Sequence, residues 1–211
     1  MASEVTWVIE RRGSLFVVSA PSGAGKTTLC REVRSRVPGL AYSISVTTRR
    51  PRPGEIDGTD FRFVSEAEFR ARLARDEFAE WASVHGNFYG TRARPLEDAL
   101  ARGEDVLLDI DTQGAGQLRL RYPEAVLIFI VAPSIAELEQ RLRERGSNAQ
   151  HDIARRLERA REEIVLWRRY DYLIVNQDVK EAVEQLTAIV QAERCRVTRL
   201  NLTLPDLEVR E

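Results

Sequence analysis

Lys26 stands in the run Ala20-Pro21-Ser22-Gly23-Ala24-Gly25-Lys26-Thr27-Thr28. With Lys180 it is one of only two lysines among 32 basic residues. A compact ammonium on a flexible stem fits between phosphate groups, where a broad planar guanidinium would not substitute. Gly23 and Gly25 let the backbone curl so that its N–H groups point inward. A helix starting at Lys26 would add partial positive charge, and the Thr27 hydroxyl can ligate Mg²⁺. The segment reads as a loop that binds the phosphates of a nucleoside triphosphate. It departs from the strict G-x-x-x-x-G-K-[ST] pattern at its first position, where this chain has Ala20.

Other chemistry-bearing residues follow in groups. Thr47-Thr48-Arg49-Arg50-Pro51-Arg52-Pro53-Gly54-Glu55 places three arginines within four positions on a backbone stiffened by proline. Forked guanidinium donors match a phosphate, although a solvated basic turn or a nucleic-acid contact has the same composition. Glu77-Phe78-Ala79-Glu80-Trp81-Ala82 sets an acid into an apolar alternation, and Asn87-Phe88-Tyr89-Gly90-Thr91 adds a phenol and a hydroxyl. Val106-Leu107-Leu108-Asp109-Ile110-Asp111 is an apolar strand ending in two acids two apart. Both can face one cleft, or they can cap the helix that begins at Thr112. Arg141 and Arg145 lie one helical turn apart, and Arg156 lies beyond the break at Gly146-Ser147-Asn148. Arg143, Arg155 and Arg159 crowd the same region and read as mainly solvated.

The elements that must position these groups are legible from periodicity. Apolar runs at 14–19, 42–47, 60–64, 77–84, 105–110, 126–131 and 171–175 predict strands, with helical patterns between several of them. That alternation predicts an α/β fold with a parallel sheet and crossover helices. Ser65-Glu66-Ala67-Glu68 and Ser134-Ile135-Ala136-Glu137 are capping boxes, predicting helices to about Arg75 and to near Gly146. Another helix is expected from about Asp152 to Arg169. Residues 38–91, rich in turn signals, read as an insertion into the core. The segment from about Cys195 reads as an extended or frayed tail.

Composition sets bounds on function. The 211 residues suit one α/β domain with small inserted parts. A formal net charge of −1 does not indicate global polyanion binding, yet arginine can still concentrate in a cleft. Cys30 and Cys195 form no C-x-x-C pair, and there is no histidine cluster, so neither a disulfide framework nor a zinc site is expected. His85 and His151 are not required by the chemistry above. No run approaches membrane length and no leader is recognisable, so a cytoplasmic enzyme without a membrane or nucleic-acid partner is the expectation.

The motifs taken in order resemble the guanylate kinase family. They are the phosphate loop, Thr-Thr-Arg-x-Pro-Arg-x-Gly-Glu, Glu-Trp-Ala, Tyr-Gly-Thr, Asp109-Ile110-Asp111-Thr112-Gln113-Gly114 and Ile174-Val175-Asn176. The resemblance implies a P-loop kinase core at 1–37, 92–133 and 168–194, a GMP-binding insertion at 38–91, a helical lid at 134–167 and a tail at 195–211. It implies transfer of the γ-phosphoryl of ATP, held with Mg²⁺, to GMP and by extension dGMP. Arg49 and Arg52 would grip the GMP phosphate together with Tyr89, and Glu55 would orient the arginine loop. Ser45, Glu80, Thr91 and Asp111 would contact guanine, whose N1–H and N2–H₂ donors suit a carboxylate. Thr27 and Asp109 would serve the metal, Arg141, Arg145 and Arg156 the moving phosphoryl, and Asn176 the adenine. Two other readings stay open: a non-catalytic interaction module of the same fold, and a P-loop kinase with another small phosphorylated acceptor. The oligomeric state is not legible.

The chain departs from the family at Phe61, where a tyrosine hydroxyl usually reaches the GMP phosphate. One neutral hydrogen bond is worth about 0.5 to 1.5 kcal/mol. Phe61→Tyr is therefore expected to lower the KM for GMP roughly two- to tenfold with kcat preserved. Steady-state kinetics at saturating ATP checks this, and an unchanged KM would remove the missing hydroxyl from the account.

Overall fold

The computed structural model describes residues 8–84, 86–144 and 150–203. The chain begins with β1 (Val8–Arg11) and β2 (Leu15–Ser19), passes through the glycine loop into α1 (Lys26–Arg36) and returns as β3 (Leu40–Tyr42). Next come β4 (Val46–Thr47), β5 (Arg62–Phe63), α2 (Glu66–Ala74), β6 (Phe78–Val84) and β7 (Asn87–Arg92). α3 (Ala93–Ala101), β8 (Asp105–Asp109), α4 (Thr112–Arg121) and β9 (Val126–Val131) follow. The described order closes with α5 (Ile135–Glu144), α6 (Gln150–Ile164), β10 (Tyr172–Val175), α7 (Val179–Arg194) and β11 (Leu200–Thr203).

β10, β9, β2, β8 and β3 form, in that order, a five-stranded parallel sheet. Near-continuous apolar runs such as Val126–Val131 suit it, because both faces are covered. On one face Leu29 and Val33 of α1 pack with Val183 and Leu186 of α7, Leu138 and Leu142 of α5, and Leu157 of α6. On the other, Leu96 of α3 and Leu118 of α4 cover Val17, Leu108 and Leu127. Ligands of such sheets bind beyond the carboxyl ends of the strands, where the order reverses. Here that place lies above β2, between β8 and β9, where the glycine loop starts.

A second sheet, ordered β5-β4-β7-β6, lies between β3 and α3 in the chain. It has its own small core, in which Phe69 of α2 stacks on Phe78 at 4.4 Å and on Phe88 at 5.4 Å between ring centroids. The serine half of both expected capping boxes forms, with Ser65 Oγ accepting from the Glu68 N–H at 3.1 Å and Ser134 Oγ from the Glu137 N–H at 3.0 Å, while the two glutamates pair with Arg72 and Arg141.

Three expectations need correction. The single strand expected at 42–47 is two: Tyr42 ends β3 opposite Leu107 in the large sheet, and Val46 opens β4 opposite Gly90 in the small one. One apolar alternation therefore conceals a change of sheet. The expected strands omit 87–92, where β7 follows the turn at Gly86 and pairs antiparallel with β6 from Val84↔Asn87. The helix expected to Arg169 is α-helical only to Ile164, and Val165–Arg169 tightens to a 3₁₀ turn. Of the two readings of the tail, the extended one holds over its described part: β11 pairs with β1 from Arg11↔Leu200 to Val8↔Thr203. Arg199 anchors it, being 9% exposed and donating to the Glu124 carbonyl at 2.8 Å and to Glu193 at 3.3 Å. His85, Arg145, the 146–149 stretch and residues 204–211 lie outside the described residues. Among the described residues both cysteines are free, and no helix is long and apolar enough to cross a membrane.

A buried carboxylate ties the ends of the fold together. Asp105, fully buried on β8, pairs with Arg11 of β1, accepts from Arg194 of α7 at 2.7 Å and takes the Ser14 N–H at 2.9 Å. Burial pushes its pKa up, but these donors outweigh burial and hold it below the ordinary carboxylate value. Its contribution is therefore present above the unfolded-state pKa and is lost as pH falls through the lower folded one. Asp105→Ala should destabilise the fold by about 2 to 4 kcal/mol, since it removes the charged partner of two guanidinium groups and orphans the Ser14 N–H. Urea unfolding at neutral pH measures it; a loss under 1 kcal/mol would show that water replaces the carboxylate.

Candidate active site

The glycine loop leaves β2 at Ser19 and closes at Gly25, the residue before α1. Gly23 and Gly25 have φ of 94° and 95°, the left-handed region that glycine adopts freely. Gly25 has a second reason to lack a side chain. A Cβ there would lie 2.3 Å from the Asn176 amide nitrogen, which donates to the Ala24 carbonyl at 2.7 Å. Asn176 is 1% exposed, and the structure places it beneath the loop, as a brace for it.

Lys26 extends from the first turn of α1 towards the ends of the neighbouring strands. Its ammonium donates to the Ile110 carbonyl at 2.7 Å and pairs with Asp109 Oδ1 at 2.5 Å. Burial lowers the lysine pKa, and the Asp109 carboxylate more than reverses this, so the ammonium stays charged. β8 ends at Asp109, two residues earlier than a strand carrying both acids would, and Asp111 is the N-cap of α4. Asp111 Oδ1 accepts from the Gly114 N–H at 2.9 Å. Capping and a place in the cleft are thus combined in one residue.

Two cavities flank this lysine. The first is lined by Lys26, Ser45, Phe61, Glu80, Tyr89 and Asp111 among others. Glu80, from β6, is 4% exposed and accepts from Thr91 Oγ1 at 2.6 Å. Thr91 is itself fully buried, so here it supports Glu80 from behind instead of lining the cavity. The other Glu80 oxygen lies where α4 passes closest; a Cβ on Gly114 would sit 2.3 Å from it. Burial pushes the Glu80 pKa up to about 7, Asp111 adds to the rise, and Thr91 and Lys26 oppose it.

Arg49 and Arg52 line an adjoining recess with Thr27, Glu55, Phe61, Tyr89 and Asp109. Arg49 donates to Glu55 at 2.8 Å, and the other Glu55 oxygen takes the Arg52 N–H at 2.7 Å. Those donors hold the Glu55 pKa below its ordinary value, the Arg49 bond leading and burial opposing. The Arg49 guanidinium also lies 5.3 Å from the Phe61 ring centroid. The second main cavity is lined by Ala20, Pro21, Ser22, Gly23, Gly25, Lys26 and Thr27, with Asp111, Arg156, Arg159 and Glu163. Ala24 is buried and Thr28 lies within the first turn of α1, so neither lines it. Arg141 is held to one side by Glu137 at 2.8 Å and the Asn176 carbonyl at 3.1 Å. Arg145 lies outside the described residues.

Sequence reasoning did not single out Arg159 and Glu163. They lie four apart on α6 and are bonded at 3.0 Å. Their spacing is a readable signal, but it was hidden in a helix rich in both charges.

A parallel sheet with a phosphate loop at its reversal point, next to an inserted sheet that walls a second pocket, defines a P-loop kinase. The guanylate kinase family model matches residues 12–193. A guanylate kinase of Geobacter sulfurreducens is 53% identical over 91% of this chain and 95% of its own length, and one of Carboxydothermus hydrogenoformans is 51% identical over 90% and 93%. The crystal structure of guanylate kinase from Anaplasma phagocytophilum superposes with a TM-score of 0.78 at 34% identity, covering 92% of each chain. The chain belongs to the guanylate kinase family.

The raised Glu80 pKa has a thermodynamic signature. The folded chain holds a proton that the unfolded chain has released, so this stability is complete below the ordinary 4.5 and is lost as pH rises through about 7. Glu80→Gln keeps an oxygen for Thr91 but cannot ionise. Relative to wild type, it should gain on the order of 3 kcal/mol between pH 4 and pH 8. Chemical unfolding of both proteins across that range reads the difference, and parallel curves would place Glu80 in contact with water.

Proposed function

We propose that this chain transfers the γ-phosphoryl of ATP to GMP, giving ADP and GDP. The observation that carries the reading is that the phosphate-loop cavity and the Glu80 cavity share Lys26, Asp111 and Val84 as a common wall. Two nucleotides held on either side would meet at the one lysine of the site. Residues 38–91 then act as the acceptor domain and 134–167 as the lid on the P-loop core.

In this reading the backbone of Ala20–Thr28 and the Lys26 ammonium hold the donor phosphates. Arg49 and Arg52, fixed by Glu55, hold the acceptor phosphate with the Tyr89 hydroxyl. Glu80 and Asp111 take the adjacent N1–H and N2–H₂ donors of guanine, with Ser45 at the same pocket and Thr91 supporting Glu80. Adenine offers no such donor pair, and leaving buried carboxylates unpaired discriminates by roughly 10⁴ or more. No general base is required, since the attacking atom is an anionic phosphate oxygen. Catalysis rests on bringing two polyanions into line and neutralising the charge between them, by Lys26 and by arginines of the lid helices: Arg156 at the cavity, with Arg141 and Arg145. Asn176 acts through the loop it braces.

The donor set suits Mg²⁺. Thr27 and Asp109 offer a hydroxyl and a carboxylate, both hard oxygen ligands, at one recess. Among the described residues no group of three or more acidic, histidine or cysteine side chains could hold a metal alone. Mg²⁺ commonly binds through one or two protein oxygens with the remainder from phosphates and water. When bound it would neutralise charge on the triphosphate. The cytoplasm, where both substrates are found, is the proposed location.

A non-catalytic interaction module is disfavoured by the Lys26–Asp109 pair and the Arg49–Glu55–Arg52 loop, both assembled for phosphates. The decisive experiment is coupled ADP release with GMP, dGMP, AMP, CMP, UMP and dTMP offered in parallel. Turnover should require GMP or dGMP; another preferred acceptor would reassign the Glu80 pocket, and no turnover would favour the module. Lys26→Arg should lose at least about 10²-fold in kcat, because a planar fork cannot occupy the point position of the ammonium. Near-normal turnover would take Lys26 out of the transfer step.

A further inference from the structure

Asp111 stands between the two cavities, and its two oxygens are differently engaged. Oδ1 is committed to the Gly114 N–H as the helix cap. Oδ2 accepts from the Gln113 side chain at 3.1 Å and faces the Arg159 guanidinium at 3.9 Å. Arg159 comes from α6, on the far side of the phosphate-loop cavity, and its Nε is bonded at 3.0 Å to Glu163, which is only 14% exposed. The guanidinium is thus held from behind by an acid of its own helix and presented to an acid of α4. Glu163 is itself in a region crowded with carboxylates. Burial raises its pKa, Arg159 opposes that rise, and the Asp111 charge adds to it. Without Arg159, Asp111 and Glu163 would share one cleft without the guanidinium that both approach, leaving Lys26 and Arg156 as the cations of that cavity.

We propose that Arg159 is a positioning residue for acceptor recognition. It holds the Asp111 Oδ2 atom aimed at the 2-amino edge of the purine, so that a helix walling the donor cavity sets selectivity in the acceptor cavity. The inference rests on the guanine reading of Asp111 given above. It assigns to Arg159 no contact with either nucleotide. Arg156, three residues earlier on the same helix, lines the same cavity, but of the two arginines it is Arg159 whose guanidinium approaches Asp111.

The test compares GMP with inosine monophosphate, which differs only in lacking the 2-amino group. Full-length wild type, Arg159→Met, Arg159→Lys, Asp111→Asn and the Arg159→Met/Asp111→Asn double variant are assayed with both acceptors at saturating ATP. Arg159→Met should lower the ratio of kcat/KM for GMP over that for inosine monophosphate by about three- to tenfold, while the KM for ATP moves less than about twofold. Arg159→Lys should recover part of the ratio. In the double variant the loss should be no greater than with Asp111→Asn alone, because both changes disable one unit. An unchanged ratio, additive losses, or an effect on ATP KM in place of the ratio would each overturn the inference, the last by making Arg159 a donor-phosphate ligand. Should Arg159→Met fail to fold by thermal unfolding, Arg159→Gln, which keeps the stem and a donor, decides by the same ratio. Wild type that fails to use GMP would overturn the proposed function; wild type that uses GMP, with a variant ratio unchanged, overturns this inference alone.

Discussion

The Lys26 ammonium, held between the Asp109 carboxylate and the Ile110 carbonyl, sets the geometry of everything around it. Its position depends on three elements meeting at one point. β2 delivers the glycine loop, α1 begins at Lys26 itself, and β8 ends at Asp109. The parallel pairing of β2 with β8, Val18 opposite Asp109, brings these ends to the same level. The loop cannot lift away, because the Asn176 amide grips the Ala24 carbonyl from below and Gly25 leaves room for that amide. A single charge is thereby fixed by backbone pairing and one buried amide, which is the rigidity that preorganised electrostatic stabilisation requires.

Around that charge the protein gathers acids and treats them differently. Asp109 sits directly on the ammonium, and Asp111 has a backbone N–H and a guanidinium near it. Glu80 has only Thr91 as a close donor, and burial carries its pKa to about 7. The Glu80 carboxylate is therefore the group in the acceptor cavity with the most to gain from a ligand carrying adjacent N–H donors. On the proposed reading that desolvation makes it selective, since an acceptor that cannot supply donors leaves the cost of the buried charge largely uncompensated. Gly114 contributes through its lack of a side chain. It lets α4 approach Glu80 closely enough that the two acceptor acids lie on one wall.

Much of this was legible in the sequence, and the exceptions have physical causes. The glycine loop, both serine N-caps and the strand at 126–131 rest on local rules, and each forms where local rules put it. What failed depended on distant partners. The break between β3 and β4 leaves no mark in an unbroken apolar alternation, because the change of sheet is decided by Leu107 and Gly90 far along the chain. β11 is ordered by its pairing with β1 and by Arg199 reaching Glu124 and Glu193, neither of which a period can reveal. In the site, residue types pointed to Glu80 and Asp111 as acceptors of hydrogen bonds. Charge density alone could not separate Arg159 from the solvated arginines beside it, since only the packing of α6 over the loop distinguishes them.

The same packing restricts how the helices that carry Arg141, Arg156 and Arg159 can move. α5 buries Leu138 and Leu142, and α6 buries Ile153, Leu157 and Ala160, all in the core cluster shared with α1 and α7. Leu138 and Leu142 also approach the glycine loop so closely that a Cβ on Gly23 would lie 3.2 and 3.1 Å from them. Exposing a fully buried leucine costs about 1.5 to 3 kcal/mol, so lifting both helices as rigid bodies would have to be offset by several kcal/mol of new contacts. Arg141, tied to Glu137 and to the Asn176 carbonyl, can exchange those acceptors for phosphate oxygens without moving α5 at all. The buried roots of α5 and α6 thus belong to the same core that carries α1 and, through it, the glycine loop.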